Sequence, residues 1–217
     1  MALPIFWSPA LNFDPSRRET GGVTDPWEYW DAAAICRATS CPVANIQANW
    51  PLVHAIMHQL GIASRNSQGA MIATIAIETA SSFLPRRELY NDPPGEYAYF
   101  EGMYGIGHHR DAPQLQNCPG SPAAVGDGAK YYGRGFIQIT WKANYYKHGK
   151  RLGIDLVANP ERARETAIAA DIAPHFWEEK GIAAMADARD WAAVRAAVQG
   201  GSLGLDRLIQ VVTTLGC

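Results

Sequence analysis

The sequence predicts a mainly α-helical protein with one short β-hairpin, and a few features carry that prediction. Apolar residues recur at helical spacing between recognisable cap and stop residues along most of the chain. Residues 69–80, GAMIATIAIETA, are apolar nearly all round, as befits a helix in the middle of a domain. Residues 131–146, YYGRGFIQITWKANYY, interrupt the helical pattern with a glycine-cornered stretch dense in aromatic and amide side chains.

Composition narrows the class. A chain of 217 residues, 47% hydrophobic and 18% charged, can bury one sizeable core without metals or cross-links. A formal net charge of −2 gives no electrostatic grip on a phosphate backbone, so nucleic acid is not an expected partner. No run of about eighteen apolar residues occurs, so no membrane insertion is expected. The opening MALPIFWSPALNFDPSRR lacks a basic n-region and does not read as a cleaved signal peptide. Cys36, Cys41, Cys118 and Cys217 are too scattered for a zinc knuckle and contain no CxxC, and both disulfides and free thiols stay open.

In chain order, residues 1–24 carry Pro4, Pro9, Pro15 and the Gly21-Gly22 pair and read as an irregular arm. Asp25-Pro26-Trp27-Glu28 has the form of a capping box with proline at the first helical position, predicting a helix to about Ala38, where Cys36 and Cys41 could bridge its end. Asn49 is the next candidate cap, for a helix ending at Gly61. His54 and His58 on it have the spacing of a metal pair, but no third ligand lies nearby in sequence, so a partly exposed histidine face is expected.

Glu78 is the only charge in the apolar helix at 69–80. A buried carboxylate is costly unless paired or functional, and burial favours the protonated form that a general acid needs. Glu88 follows a turn later, beside Arg86 and Arg87, which are expected to hold it ionised. Residues 92–127 show little periodicity and read as a long surface excursion walling a substrate groove, with Glu96, Tyr97, Tyr99, Glu101 and Tyr104 upon it. His108 and His109 are adjacent and point apart, a poor metal pair.

In the glycine-cornered stretch, Gly133 and Gly135 flank Arg134. Phe136, Ile137, Ile139 and Trp141 anchor a ledge that carries Gln138, Thr140 and Asn144. Flat apolar faces beside amides and hydroxyls suit a sugar chain better than a phosphate or a metal. Beyond it, Asn159-Pro160-Glu161 opens a helix that Pro174 kinks or restarts before Gly181. Asp190 caps WAAVRAAVQ, Gly200-Gly201 breaks it, and residues 203–215 form the last amphipathic helix.

These residues resemble glycoside hydrolase family 19, the chitinase-like family, and especially its branch among phage and bacterial endolysins. YYGRGFIQITWKANYY is similar to the family's YYGRGPIQLSWNYNYG, and IATIAIETASSF, PRREL, YFEG, GDGAKYYGRG and QGGSLGLDRL follow in the family's order from about Asn49 to Leu215. The resemblance implies a lysozyme-like, two-lobed helical domain over residues 46–217 with the hairpin beside an active-site groove, and residues 1–45 as an arm and helix packed upon it. It places the catalytic acid on Glu78, where Ile77 and Thr79-Ala80-Ser81 replace the histidine and lose the glycines of the family's HETGG signature. The general base falls on Glu88, with Glu101 as the alternate on the spacing of plant members.

Thr140 matches the residue that positions the attacking water, and Gln138 and Asn144 match sugar-contacting positions. Gln199 stands in for the asparagine of an NGG motif. Arg134 is expected to orient the chain, with Tyr97, Tyr99, Trp141 and Tyr145 as stacking faces. The implied activity is an inverting glycosidase, needing no cofactor or metal, that cleaves β-1,4 bonds between N-acetylated sugars. The cell-wall polysaccharide peptidoglycan is the favoured substrate because IATIAIET and YFEG look like lysin sequences; chitin and a catalytically inactive glycan-binding module are the alternatives. A monomer acting on the cell wall is expected.

Overall fold

The computed structural model describes residues 24–89, 95–108 and 112–217. Along them run helices α1 (Ala32–Thr39), α2 (Val43–Gln59) and α3 (Arg65–Glu78), strand β1 (Arg86–Arg87), helices α4 (Glu96–Tyr104), α5 (Ala112–Gln116) and α6 (Asp127–Lys130), and strand β2 (Arg134–Gly135). Helix α7 (Lys142–Leu152), a 3-10 turn (Pro160–Arg164) and helices α8 (Thr166–Glu179), α9 (Ile182–Asp187), α10 (Trp191–Gln199) and α11 (Leu205–Leu215) complete them. The expected mainly helical fold forms, with its short β element a two-stranded antiparallel sheet that joins β1 to β2 across intervening helices. The described chain divides into two compact units, one holding residues 86–165 and the other combining residues 24–85 with Thr166–Cys217.

The second unit is built round α3. Residues 67–76 are all buried, and α11, α9 and α1 pack against this helix. A helix covered on every side needs small residues where neighbours come closest. A Cβ on Gly69 would lie 2.3 Å from Cys217 Sγ, so glycine is what admits the chain end. Ser64 caps α3 by accepting from the Ser67 amide at 3.1 Å and also donates to Asp187, tying the helix start to α9.

Several boundaries differ from expectation. Asp25 to Glu28 forms a turn, with Asp25 Oδ1 accepting from the Trp27 amide at 2.9 Å, and α1 starts at Ala32 because Asp31 caps it, accepting from Ala34 N at 2.7 Å. Asn49 does not cap α2. Its amide donates to Asn45 O at 2.8 Å and Phe83 O at 3.1 Å inside a helix that already begins at Val43. Pro174 lies within α8 without ending it. All four cysteines are free thiols, so the Cys36 and Cys41 bridge does not form. Asp190 caps α10 as expected, accepting from Ala193 N at 2.9 Å.

In the first unit, β1 and β2 pair antiparallel with Arg86 opposite Gly135 and Arg87 opposite Arg134. Part of the predicted excursion is helical: α4 packs on α6, and α5 on α7. The reason is an aromatic stack that leaves no periodic trace in the sequence, in which the buried Phe100 lies on Tyr132 at a centroid separation of 4.0 Å. Lys142, also buried, reaches Asp127 Oδ2 at 2.6 Å and Pro122 O at 2.7 Å, fixing the start of α7.

Candidate active site

Glu78 is the last residue of α3, and its side chain is 15% exposed. Arg195 of α10 donates to its Oε1 at 2.5 Å and, through Nε, to Leu203 O at 2.5 Å. This corrects the expectation of a lone acid in apolar surroundings, since a buried guanidinium sits on it. Arg195 is the only charge in WAAVRAAVQ, and Glu78 is the only charge in the apolar stretch 69–80, so the two answer each other. Gln199 stands one turn after Arg195 on α10.

Directly after Glu78 the backbone turns left-handed at Ala80 (φ 49°), Ser81 (φ 57°) and Phe83 (φ 55°). The Thr79 hydroxyl steadies the turn, donating to Ile75 O at 2.6 Å and accepting from Phe83 N at 3.0 Å. The first two of these positions are where the family signature has glycines, so the turn is kept here by residues that pay strain to adopt it.

In the other unit, Glu88 follows β1, and its amide donates to Gly133 O at 2.8 Å, extending the pairing of the strands. Its carboxylate accepts from the Tyr104 hydroxyl at 2.8 Å and from the Gly133 amide at 3.2 Å. Gln138 closes over the same point, its amide donating to Arg86 O at 2.9 Å and Gly135 O at 2.8 Å. A Cβ on Gly133 would lie 3.0 Å from Gln138 Oε1 and 3.1 Å from Glu88 Oε2, so the glycine lets a carboxylate and an amide oxygen share one small space. Arg87 does not serve Glu88. It pairs with Glu96 at 3.3 Å, as neighbours on a strand face opposite sides.

Glu101 has a different job. Its two oxygens accept from Gly126 N at 2.9 Å and Ala129 N at 3.1 Å, capping the N-terminus of α6, where a negative charge is favoured. Thr140 is half-buried, its hydroxyl donating to Gln138 O at 3.1 Å, and Asn144 donates to Thr140 O at 2.7 Å, so Asn144 secures the ledge from behind. Trp141 is half-buried and meets Tyr104 edge to face at 5.3 Å.

Two expectations on the ledge need correction. Tyr145 is wholly buried, and its hydroxyl donates to Tyr132 O at 2.7 Å, so its ring has no face to offer a sugar. Arg134 is buried too: Nε donates to Glu161 at 2.7 Å, Nη1 to Lys130 O and Tyr132 O at 3.0 Å, and the guanidinium lies over the Tyr132 ring at 4.0 Å. It braces the ledge from within. Burial works against charge on Glu161, but bonds from Arg164 and Arg134 outweigh it and hold that carboxyl below its ordinary value. Tyr97 is 60% exposed and Tyr99 40% exposed, and Tyr97 borders an open depression of about 490 Å³ shared with Glu96, Lys130 and Tyr132. Sequence reasoning missed Tyr104 as the partner of Glu88 and Arg195 as the partner of Glu78. Arg195 had a signal, a single charge on an otherwise apolar helix; Tyr104 had none beyond its place among aromatics.

The chain matches known proteins over this region. The sequence profile of the class I chitinase family covers residues 70–187. An endochitinase of Arabidopsis thaliana is 49% identical over 168 residues, which is 77% of this chain and 52% of that protein. Inactive chitinase-like protein 1 of Hevea brasiliensis is 39% identical over 88 residues, 39% of this chain and 26% of that one. The chain thus spans between about a quarter and a half of the length of these curated relatives. Among solved structures, chitinase C from Streptomyces griseus has the same fold, with a TM-score of 0.57 at 19% identity over 90% of this chain and 79% of that chain.

Proposed function

The chain belongs to glycoside hydrolase family 19, the family of the class I chitinases, and from that premise we propose that it hydrolyses β-1,4 bonds between N-acetylated sugars, with chitin as substrate. The observation that carries this reading is the Glu88 carboxylate, held by Tyr104 and the Gly133 amide beside the Gln138 amide and next to the Thr140 ledge. Those are the groups a general base needs in order to hold and activate one water. Glu101 spends both oxygens on capping α6, which favours Glu88 over it as the base.

In the proposed reaction Glu78 is the general acid. Arg195 engages its Oε1, so Oε2 is the oxygen that protonates the leaving glycosidic oxygen. Glu88 takes a proton from water, Thr140 holds that water, and attack on the opposite face of the sugar inverts the anomeric centre. Such a pair works at roughly 6.5–9.5 Å, room for the water between them. Tyr97, Tyr99 and Trp141 would stack on pyranose rings, and Gln138 and Gln199 would contact their substituents.

Peptidoglycan is the second reading, favoured by the likeness of IATIAIET and YFEG to lysin sequences, whereas the curated relatives named above favour chitin. Reducing-end release from colloidal chitin and turbidity loss of outer-membrane-stripped Gram-negative cells separate the two. Glu78→Gln and Glu88→Gln should each lower the rate by about 10²–10⁴-fold. Wild-type protein that binds glycan yet releases no reducing ends from either substrate would make this a binding module instead.

A further inference from the structure

Within the unit built on α3, Glu28, His54 and His58 converge on one point. His54 and His58 lie one helical turn apart on α2, and both Nε2 atoms face Glu28 Oε1, at 3.4 Å and 3.0 Å. The three atoms all lie within 4.8 Å of one another. The third group, absent from the local sequence, is delivered by the turn that precedes α1. That turn is fixed by the Trp50 indole, which donates to Pro26 O at 2.8 Å. We propose that these residues form a zinc-class divalent metal site, with Glu28 Oε1, His54 Nε2 and His58 Nε2 as ligands and a fourth position left to water.

Geometry is the first argument. In a tetrahedral sphere with metal–ligand bonds of about 2.0–2.1 Å, neighbouring ligand atoms stand about 3.3 Å apart. The two separations from the carboxylate oxygen, 3.4 Å and 3.0 Å, match that edge. The hydrogen bonding is the second. Gln68, 1% exposed on α3, donates to the same Glu28 Oε1 at 2.6 Å and to Ala63 O at 3.1 Å. With both rings carrying their proton on Nε2, three donors press on one oxygen that offers about two lone pairs. Gln68 Nε2 also lies 3.4 Å from His58 Nε2, so a ring proton there would face the amide protons of Gln68. A cation in place of the ring protons relieves this crowding, leaving two neutral imidazoles and a carboxylate whose orientation Gln68 fixes.

Two imidazoles and a single carboxylate favour zinc and its first-row neighbours over magnesium or calcium, which take oxygen ligands. His58 is 17% and Glu28 31% exposed, so an ion can enter from solvent, while His54 at 1% anchors the site. The bound ion would clamp the turn before α1 onto α2.

The test is titration of chelator-stripped full-length protein with Zn2+, followed by calorimetry and thermal unfolding, with Mg2+ as the comparison ion. Expected are one Zn2+ per chain and a rise in Tm of about 5–10 °C at a hundred-fold excess over Kd. His58→Ala and Glu28→Gln should each weaken binding by about ten-fold or more. His58→Ala trims a part-exposed side chain, and circular dichroism confirms that it folds. No zinc uptake by wild type, an equal response to Mg2+, or zinc binding that survives both substitutions, as capture by a free thiol would, overturns the site.

Discussion

Arg195 Nη1 stands 2.5 Å from Glu78 Oε1, joining the single charge of α10 to the single carboxylate of α3. Arg195 is 4% exposed, so removing Glu78 or Arg195 alone leaves the other charge buried without its partner. Arg195→Met should destabilise the protein by about 3 kcal/mol in urea unfolding. The double variant Glu78→Gln, Arg195→Met should lose less than the sum of the single losses, because the two residues act as a pair. Additive losses would show that the contact has no energetic weight.

The left-handed turn after Glu78 predicts a stabilising change. Ala80 at φ 49° adopts a conformation that costs a non-glycine residue about 1–2 kcal/mol, while glycine gives back about 0.5–1 kcal/mol in unfolded-state entropy. Ala80→Gly should therefore raise stability by about 0.5–1 kcal/mol, read as a higher urea midpoint at unchanged slope.

Glu88 and Glu101 should separate cleanly. Glu101→Gln should cost about 1–2 kcal/mol of stability by weakening the α6 cap, yet retain most hydrolysis at a temperature where it is folded. Glu88→Gln should do the opposite, abolishing turnover with little change in Tm. The reverse pattern would make Glu101 the base.

Tyr104→Phe removes one donor from the Glu88 carboxylate and leaves the Gly133 amide in place. We expect kcat to fall by roughly ten-fold with KM nearly unchanged, since a base that is less firmly held affects the chemical step rather than ground-state binding.

The Arg134 and Glu161 pair gives a pH prediction with a definite sign. Glu161 is held below its ordinary value of 4.5, so the folded state binds its proton less tightly than the unfolded chain does. Its stabilising contribution is complete above about pH 5.5 and is lost as pH falls through 4.5 and below. The Tm difference between wild type and Glu161→Gln should therefore be largest at pH 7 and shrink at pH 3.5. A difference that grows on acidification would reverse the assignment.

Much of this was legible in the sequence because it rests on local physics. The period of α3, the Asp190 cap, the glycine stop after α10 and the strand-like ledge all follow from neighbours in the chain, as does the oddity of a single carboxylate in GAMIATIAIETA. Tertiary structure decided what the side chains of those elements touch. It turned Tyr145 and Arg134 inward, gave Glu101 to a helix end, brought Arg195 to Glu78, and carried Glu28 to a histidine pair whose own helix supplied no third group. Helix periods and caps depend on residues a turn apart, whereas these pairings join segments distant along the chain, and packing alone selects which of the available polar groups meet.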